Sequence, residues 1–122
     1  MKINFKVTRR ALISAVFFFG ATTRGASESC TVFIGQNCYT RAISANRENH
    51  FVRITFPAGT AVNYSVIDTQ IDKVVYRGSS NLWGERKTIT GLYSTYKLHI
   101  MDFAGTVYGS LEMKGTISNE NR

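Results

Sequence analysis

Apolar and polar side chains alternate along most of the chain after residue 30. Phe51-Val52-Arg53-Ile54-Thr55-Phe56 puts Val52, Ile54 and Phe56 on one side, with Arg53 and Thr55 on the other. A period of two is the signature of a strand with one face in a core and one in water. Pro57, the only proline, has no N–H to give a ladder and ends the run. Residues 62–113 then read as two related β-hairpins. In the first, Val62, Tyr64 and Val66 share a face, the chain turns after Asp68, and residues 73–78 return. In the second, Tyr96, Leu98 and Ile100 face inward against outward Lys97 and His99. The chain turns at Phe103-Ala104-Gly105 and returns with Val107, Gly109, Leu111 and Met113 on one face. Asp68 and Asp102 close the two outgoing strands, and a carboxylate suits the first corner of a turn because it accepts a backbone N–H two residues on.

Further strands are expected at residues 31–34, 38–43 and 88–90, giving seven to eight in all with turn signals about every ten residues. No amphipathic helix of useful length follows residue 30. The pattern predicts an all-β domain: a small antiparallel β-sandwich, or a partly open barrel, over residues 28–117. Val52, Ile54, Phe56, Val66, Leu98, Ile100 and Leu111 are its expected inward residues. Residues 118–122 (Ser-Asn-Glu-Asn-Arg) offer nothing to bury and are expected to be a disordered tail.

The first 27 residues carry a different pattern. Lys2, Lys6, Arg9 and Arg10 precede an uninterrupted apolar run from Ala11 to Phe19, and small or polar residues follow. A basic start, a short apolar middle and a small-residue exit predict a cleavable helical signal peptide. The apolar run is shorter than the roughly 20 residues a membrane span needs. Cleavage after Ser27 or Ser29 meets the small-residue requirement, and Arg9-Arg10 leaves both the general secretory and the twin-arginine routes open. Contact with a membrane is expected only during export.

Removing the leader changes the electrostatic picture. The whole chain has a formal charge of +7, but Lys2, Lys6, Arg9, Arg10 and Arg24 leave with the leader while every acidic residue stays. Ten basic side chains against eight acidic ones remain, a net +2. That is no footprint for nucleic acid. Export also sets the reading of the cysteines. Cys30 and Cys38 are the only two, and outside a reducing cytosol such a pair is expected to form a disulfide, here across a hairpin.

Catalytic chemistry is thin. His50 and His99 are the only histidines; His99 falls on the expected solvent face and His50 in a polar connection. No Gly-x-Ser-x-Gly elbow, His-Glu-x-x-His helix or phosphate-binding loop is present. Asp68, Asp72 and Asp102 lack the spacing of a calcium loop, so no metal and no cofactor is expected. The chain is therefore read as a non-enzyme.

The candidate site is the polar loop of residues 77–87, where Trp83 stands among Arg77, Asn81, Glu85 and Arg86. Ligand contacts concentrate on such loops, and a flat aromatic beside amide and charged groups suits a saccharide or a protein surface. The alternative is that Leu82 and Trp83 fold back to plug one end of the sandwich. These expectations describe a secreted, non-catalytic binding module acting outside the cell or at its envelope on a polysaccharide or protein ligand. The alternative is a secreted antimicrobial toxin or enzyme inhibitor of small β-fold.

Overall fold

The computed structural model describes residues 26–121. The leader expected over residues 1–27 lies outside them except for Ala26 and Ser27. Nine strands are present among the described residues: β1 (Ser27–Phe33), β2 (Cys38–Tyr39), β3 (Ile43–Ser44), β4 (Phe51–Phe56), β5 (Asn63–Asp68), β6 (Lys73–Ser79), β7 (Glu85–Thr90), β8 (Thr95–Ile100) and β9 (Glu112–Ser118). They form two antiparallel sheets, one in the order β1-β9-β4-β7 and one in the order β2-β8-β5-β6, with β3 also on β8. The fold is the expected all-β sandwich.

The count exceeds seven to eight because one expected strand is split. β2 and β3 both pair with β8, at Cys38–Ile100 and at Ile43–Tyr96. Between them the Thr40 hydroxyl, rather than a carbonyl, accepts the Leu98 N–H. A side-chain oxygen has replaced one rung of the ladder.

Strand faces follow the alternation. Val32, Val52, Ile54, Phe56, Met113 and Ile117 of one sheet meet Tyr64, Val66, Tyr96, Leu98 and Ile100 of the other, all buried. Burying a Val, Leu, Ile or Phe side chain contributes roughly 1.5–3 kcal/mol relative to exposure. Six of the seven expected core residues are among these. Leu111 is not: it is 64 % exposed.

Leu111 fails because the second hairpin does not exist. The first hairpin does, with β5 and β6 antiparallel and Asp68 opposite Lys73. Asp68 also accepts the Gln70 N–H, as a turn-capping carboxylate should. β8, however, pairs with β5, whereas β9 pairs with β1 and β4 in the other sheet. Residues 101–111 therefore cross one end of the sandwich as a loop, and Gly109, at φ 83°, sits in a turn rather than a pleat. Alternation in sequence survives there by accident, because no ladder enforces it.

The disulfide between Cys30 and Cys38 is present, with Cα atoms 6.2 Å apart. It does not cross a hairpin: Cys30 is on β1 of one sheet and Cys38 on β2 of the other, so the bond staples the two layers. A bridged pair fits an oxidising compartment rather than a reducing cytosol.

Candidate functional site

The end of the sandwich where β1, β4, β6 and β8 finish and β5, β7 and β9 begin carries two turns of the same construction. In the first, Asn81-Leu82-Trp83-Gly84, the Asn81 side-chain oxygen accepts the Trp83 N–H at 2.9 Å. In the second, Thr106-Val107-Tyr108-Gly109, the Thr106 hydroxyl accepts the Tyr108 N–H at 3.2 Å. Each closes with the glycine N–H donating to the carbonyl of the first residue, Gly84 to Asn81 at 3.0 Å and Gly109 to Thr106 at 3.1 Å. Both glycines have positive φ, 89° and 83°, a conformation that L side chains rarely adopt. At the corners each turn presents an aliphatic residue followed by an aromatic one.

Gly59 ties the two turns together. Its N–H donates to the Leu82 carbonyl at 2.8 Å, and its carbonyl accepts the Val107 N–H at 2.9 Å. The Tyr108 ring lies where a Cβ on Gly59 would stand, and at φ 86° any side chain there would be strained. The result is a rigid mount for four exposed apolar side chains: Leu82 (53 %), Trp83 (91 %), Val107 (60 %) and Tyr108 (78 %). Phe33, Ile34 and Leu111 are also exposed, and at this end of the sandwich the Ile34 N–H donates to the Leu111 carbonyl. Turn corners usually hold Gly, Pro, Asn, Asp or Ser. Large apolar groups there, pinned yet outside the core, gain nothing from folding, and patches of this kind mark contact surfaces.

Leu82 and Trp83 therefore do not plug the sandwich. That place is taken by Phe103 and Val62, both buried. The residues expected around Trp83 do not converge on it, apart from Asn81. Glu85 turns between the sheets, where it accepts the Tyr64 hydroxyl at 3.1 Å. Burial and then the Glu85 carboxylate push the Tyr64 phenol far above its usual range, so it stays a donor. Arg77 lies between Tyr76 and Gly78, which face inward onto Tyr64, and so projects from the outer face of one sheet opposite Ser65. Arg86 lies between Glu85 and Lys87, the latter over the Tyr76 ring, and projects from the outer face of the other sheet opposite Thr55. Spacing along a strand cannot keep neighbours together, because consecutive side chains point to opposite faces.

Sequence reasoning missed Val107 and Tyr108 as partners of Leu82 and Trp83. The signal was present: a short polar side chain, an aliphatic residue, an aromatic and a glycine, in that order, at both places. It was masked at residues 106–109 because the same letters also alternate.

The histidines lie elsewhere. His99 is on the outer face of β8, its ring stacked on Tyr39 with centroids 4.0 Å apart. Burial, and secondarily Lys97, lowers its pKa below the ordinary value. His50 is at the opposite end of the sandwich, stacked on Tyr93. Among the described residues no group of three or more His, Cys, Asp or Glu is placed to hold a metal ion. A comparison with protein-family models finds no match, and one with curated proteins finds none either.

Proposed function

We propose that the chain is a secreted, non-catalytic binding module that docks on a protein partner through the end carrying the two matched turns. The observation that carries this reading is the pairing of Leu82-Trp83 with Val107-Tyr108 on the Gly59 backbone. Interfaces between proteins concentrate their energy in a few aromatic anchors surrounded by a polar rim. Trp83 and Tyr108 supply the anchors, with the exposed Leu82 and Val107 beside them in the same turns. The Asn81 side-chain oxygen and the Thr106 hydroxyl oxygen beside the rings are already engaged as acceptors in the turns, which favours a protein partner over a saccharide. The same protruding geometry suits insertion into an enzyme cleft, so an inhibitor is one form of this reading. The leader pattern and the Cys30–Cys38 bond support action outside the cytosol.

The test compares the mature wild-type protein with a Trp83→Ala/Tyr108→Ala variant of unchanged melting temperature. Each is immobilised and exposed to extracellular and envelope proteins, to insoluble polysaccharide and to lipid vesicles. A single protein retained by the wild type, lost with the variant and bound again when purified supports the proposal. Equal retention by both forms, or retention confined to polysaccharide or vesicles, overturns it.

A further inference from the structure

The opposite end of the sandwich has a cleft of about 310 Å³ between the connections at residues 45–50, 69–72 and 91–94. Its size falls at the low end of small-molecule sites. Ala45 and Leu92, both buried, give it an apolar floor. One wall is an aromatic ledge in which the His50 and Tyr93 rings stack with centroids 4.2 Å apart. Tyr93 is nevertheless largely exposed, so one face of its ring is open.

The ledge is fixed by backbone. His50 adopts φ 56°, which is uncommon for a residue with a side chain. Its N–H donates to the Asn46 carbonyl at 2.7 Å, and its carbonyl accepts the Leu92 N–H at 3.0 Å. Strain of this sort persists where the surroundings hold it, often at functional sites.

The polar groups of the lining divide into used and unused. The Asn46 side-chain oxygen accepts the Glu48 and Asn49 N–H groups, and its amide donates to the Asn119 carbonyl. The Ser44 carbonyl is taken by the Asn119 amide. The Ser94 hydroxyl lies 2.8 Å from Asp68 Oδ1 and 2.9 Å from Gln70 Oε1. The Arg47 guanidinium and the Gln70 amide NH₂ have no partner among the described residues; the Asp68 carboxylate, itself buried, is not in the lining but touches it from behind through Ser94 and Gln70. What faces an incoming ligand is an open aromatic ring, an apolar floor, and donors with a full positive charge among them.

We propose that this cleft binds an acidic saccharide unit, its ring laid on Tyr93 and its carboxylate paired with Arg47. The C–H face of a sugar ring matches a tyrosine ring, and a carboxylate matches the planar guanidinium fork. A neutral sugar leaves Arg47 unpaired, while a small inorganic anion leaves the ledge unused. The site lies at the far end from Trp83 and is independent of the protein-docking reading.

The test titrates the mature protein by NMR with galacturonic acid and its trimer, with galactose, and with inorganic phosphate. Saturable shifts from the uronate at residues 45–50 and 91–94, with galactose and phosphate at least tenfold weaker, are expected. Arg47→Ala and Tyr93→Ala, both exposed and so expected to keep the wild-type melting temperature, should each weaken uronate binding at least tenfold. Trp83→Ala should leave it unchanged. Galactose or phosphate binding as well as the uronate, no saturable uronate binding, or full binding by either cleft variant overturns the proposal.

Discussion

Trp83 and Tyr108 occupy equivalent positions in two turns that share one strut, each donating its N–H to a side-chain oxygen two residues earlier. Their carriers are connections of the same kind: residues 80–84 join β6 to β7 and residues 101–111 join β8 to β9, each taking the chain from the β2-β8-β5-β6 sheet to the β1-β9-β4-β7 sheet. Two connections far apart in sequence thus arrive at the same local chemistry, side by side on Gly59.

Trp83 is the only tryptophan, so emission reports on this site alone. At 91 % exposure it should emit as a solvated indole, red-shifted and quenched by small solutes, and a docked partner should protect it. Trp83→Ala should change stability by no more than about 0.5 kcal/mol, the range of ordinary surface sites. A blue-shifted, unquenched signal, or a loss of about 3–5 kcal/mol as for a core aromatic, would place the ring inside the fold.

Leu98 and Leu111 alternate equally well with polar neighbours, yet only Leu98 is buried. Leu98→Ala should lower stability by about 2–5 kcal/mol, the transfer and cavity loss of a buried leucine. Leu111→Ala should stay within about 0.5 kcal/mol. Denaturant unfolding of the two variants separates them, and similar losses would return residues 106–111 to a strand.

The contrast between these two leucines shows how far the sequence could be read. Alternation reports which face a residue occupies within a strand, and it placed Val52, Ile54, Phe56, Val66, Leu98 and Ile100 correctly. It carries no information on the partner strand, since any antiparallel neighbour satisfies the same period. The first hairpin was legible because its turn is local. The crossing of residues 101–111 between sheets was not, and with it went the identity of the site. Trp83 was found from its composition, whereas its true neighbours arrive through the long-range contact at Gly59.

The staple between the sheets gives a redox prediction. Thiol titration of the denatured mature protein should find no free sulfhydryl, because Cys30 and Cys38 are bonded. The Cys30→Ser/Cys38→Ser variant should lose about 2–3 kcal/mol in the loop-entropy account of a short closed loop. Stoichiometric thiol, or wild-type stability in the double variant, would refute the staple.

His99 gives stability a pH dependence of known sign. Its folded-state pKa is lowered, first by burial against Tyr39 and its neighbours and then by Lys97. Between that lowered value and the ordinary value of about 6.5, the unfolded chain takes up a proton that the folded chain refuses. Stability from this group is thus complete above the unfolded value and declines as pH falls through the window. Melting temperatures of wild type and His99→Gln should converge, or cross, as pH drops from about 7.5 to about 5, the range spanning a histidine titration. A gap that stays constant with pH would show that His99 titrates normally.

Asn119 lies in the segment whose composition predicts fraying, yet it is only 5 % exposed. Its side-chain oxygen accepts the Ala26 N–H at 2.6 Å, and its amide donates to the Ser44 carbonyl at 2.8 Å. Ala26 leads into β1 of one sheet and Ser44 ends β3 of the other, so one side chain clamps both layers at the end opposite the turns. Its backbone adds two more bonds, donating to the Ala26 carbonyl and accepting from the Asn46 amide. In a chain that retains Ala26, which cleavage after Ser27 or Ser29 would remove, Asn119→Ala keeps the backbone bonds but strands a donor and an acceptor in a partly buried position. Each group left unsatisfied costs about 1–3 kcal/mol. Asn119→Asp should also destabilise, because it keeps an acceptor for Ala26 but turns a carboxylate oxygen toward the Ser44 carbonyl. Deleting residues 119–122 removes all four bonds and should destabilise at least as much as Asn119→Ala. A frayed tail predicts no change from any of the three, so a truncated protein that melts with the wild type would show that the clamp does not hold in solution.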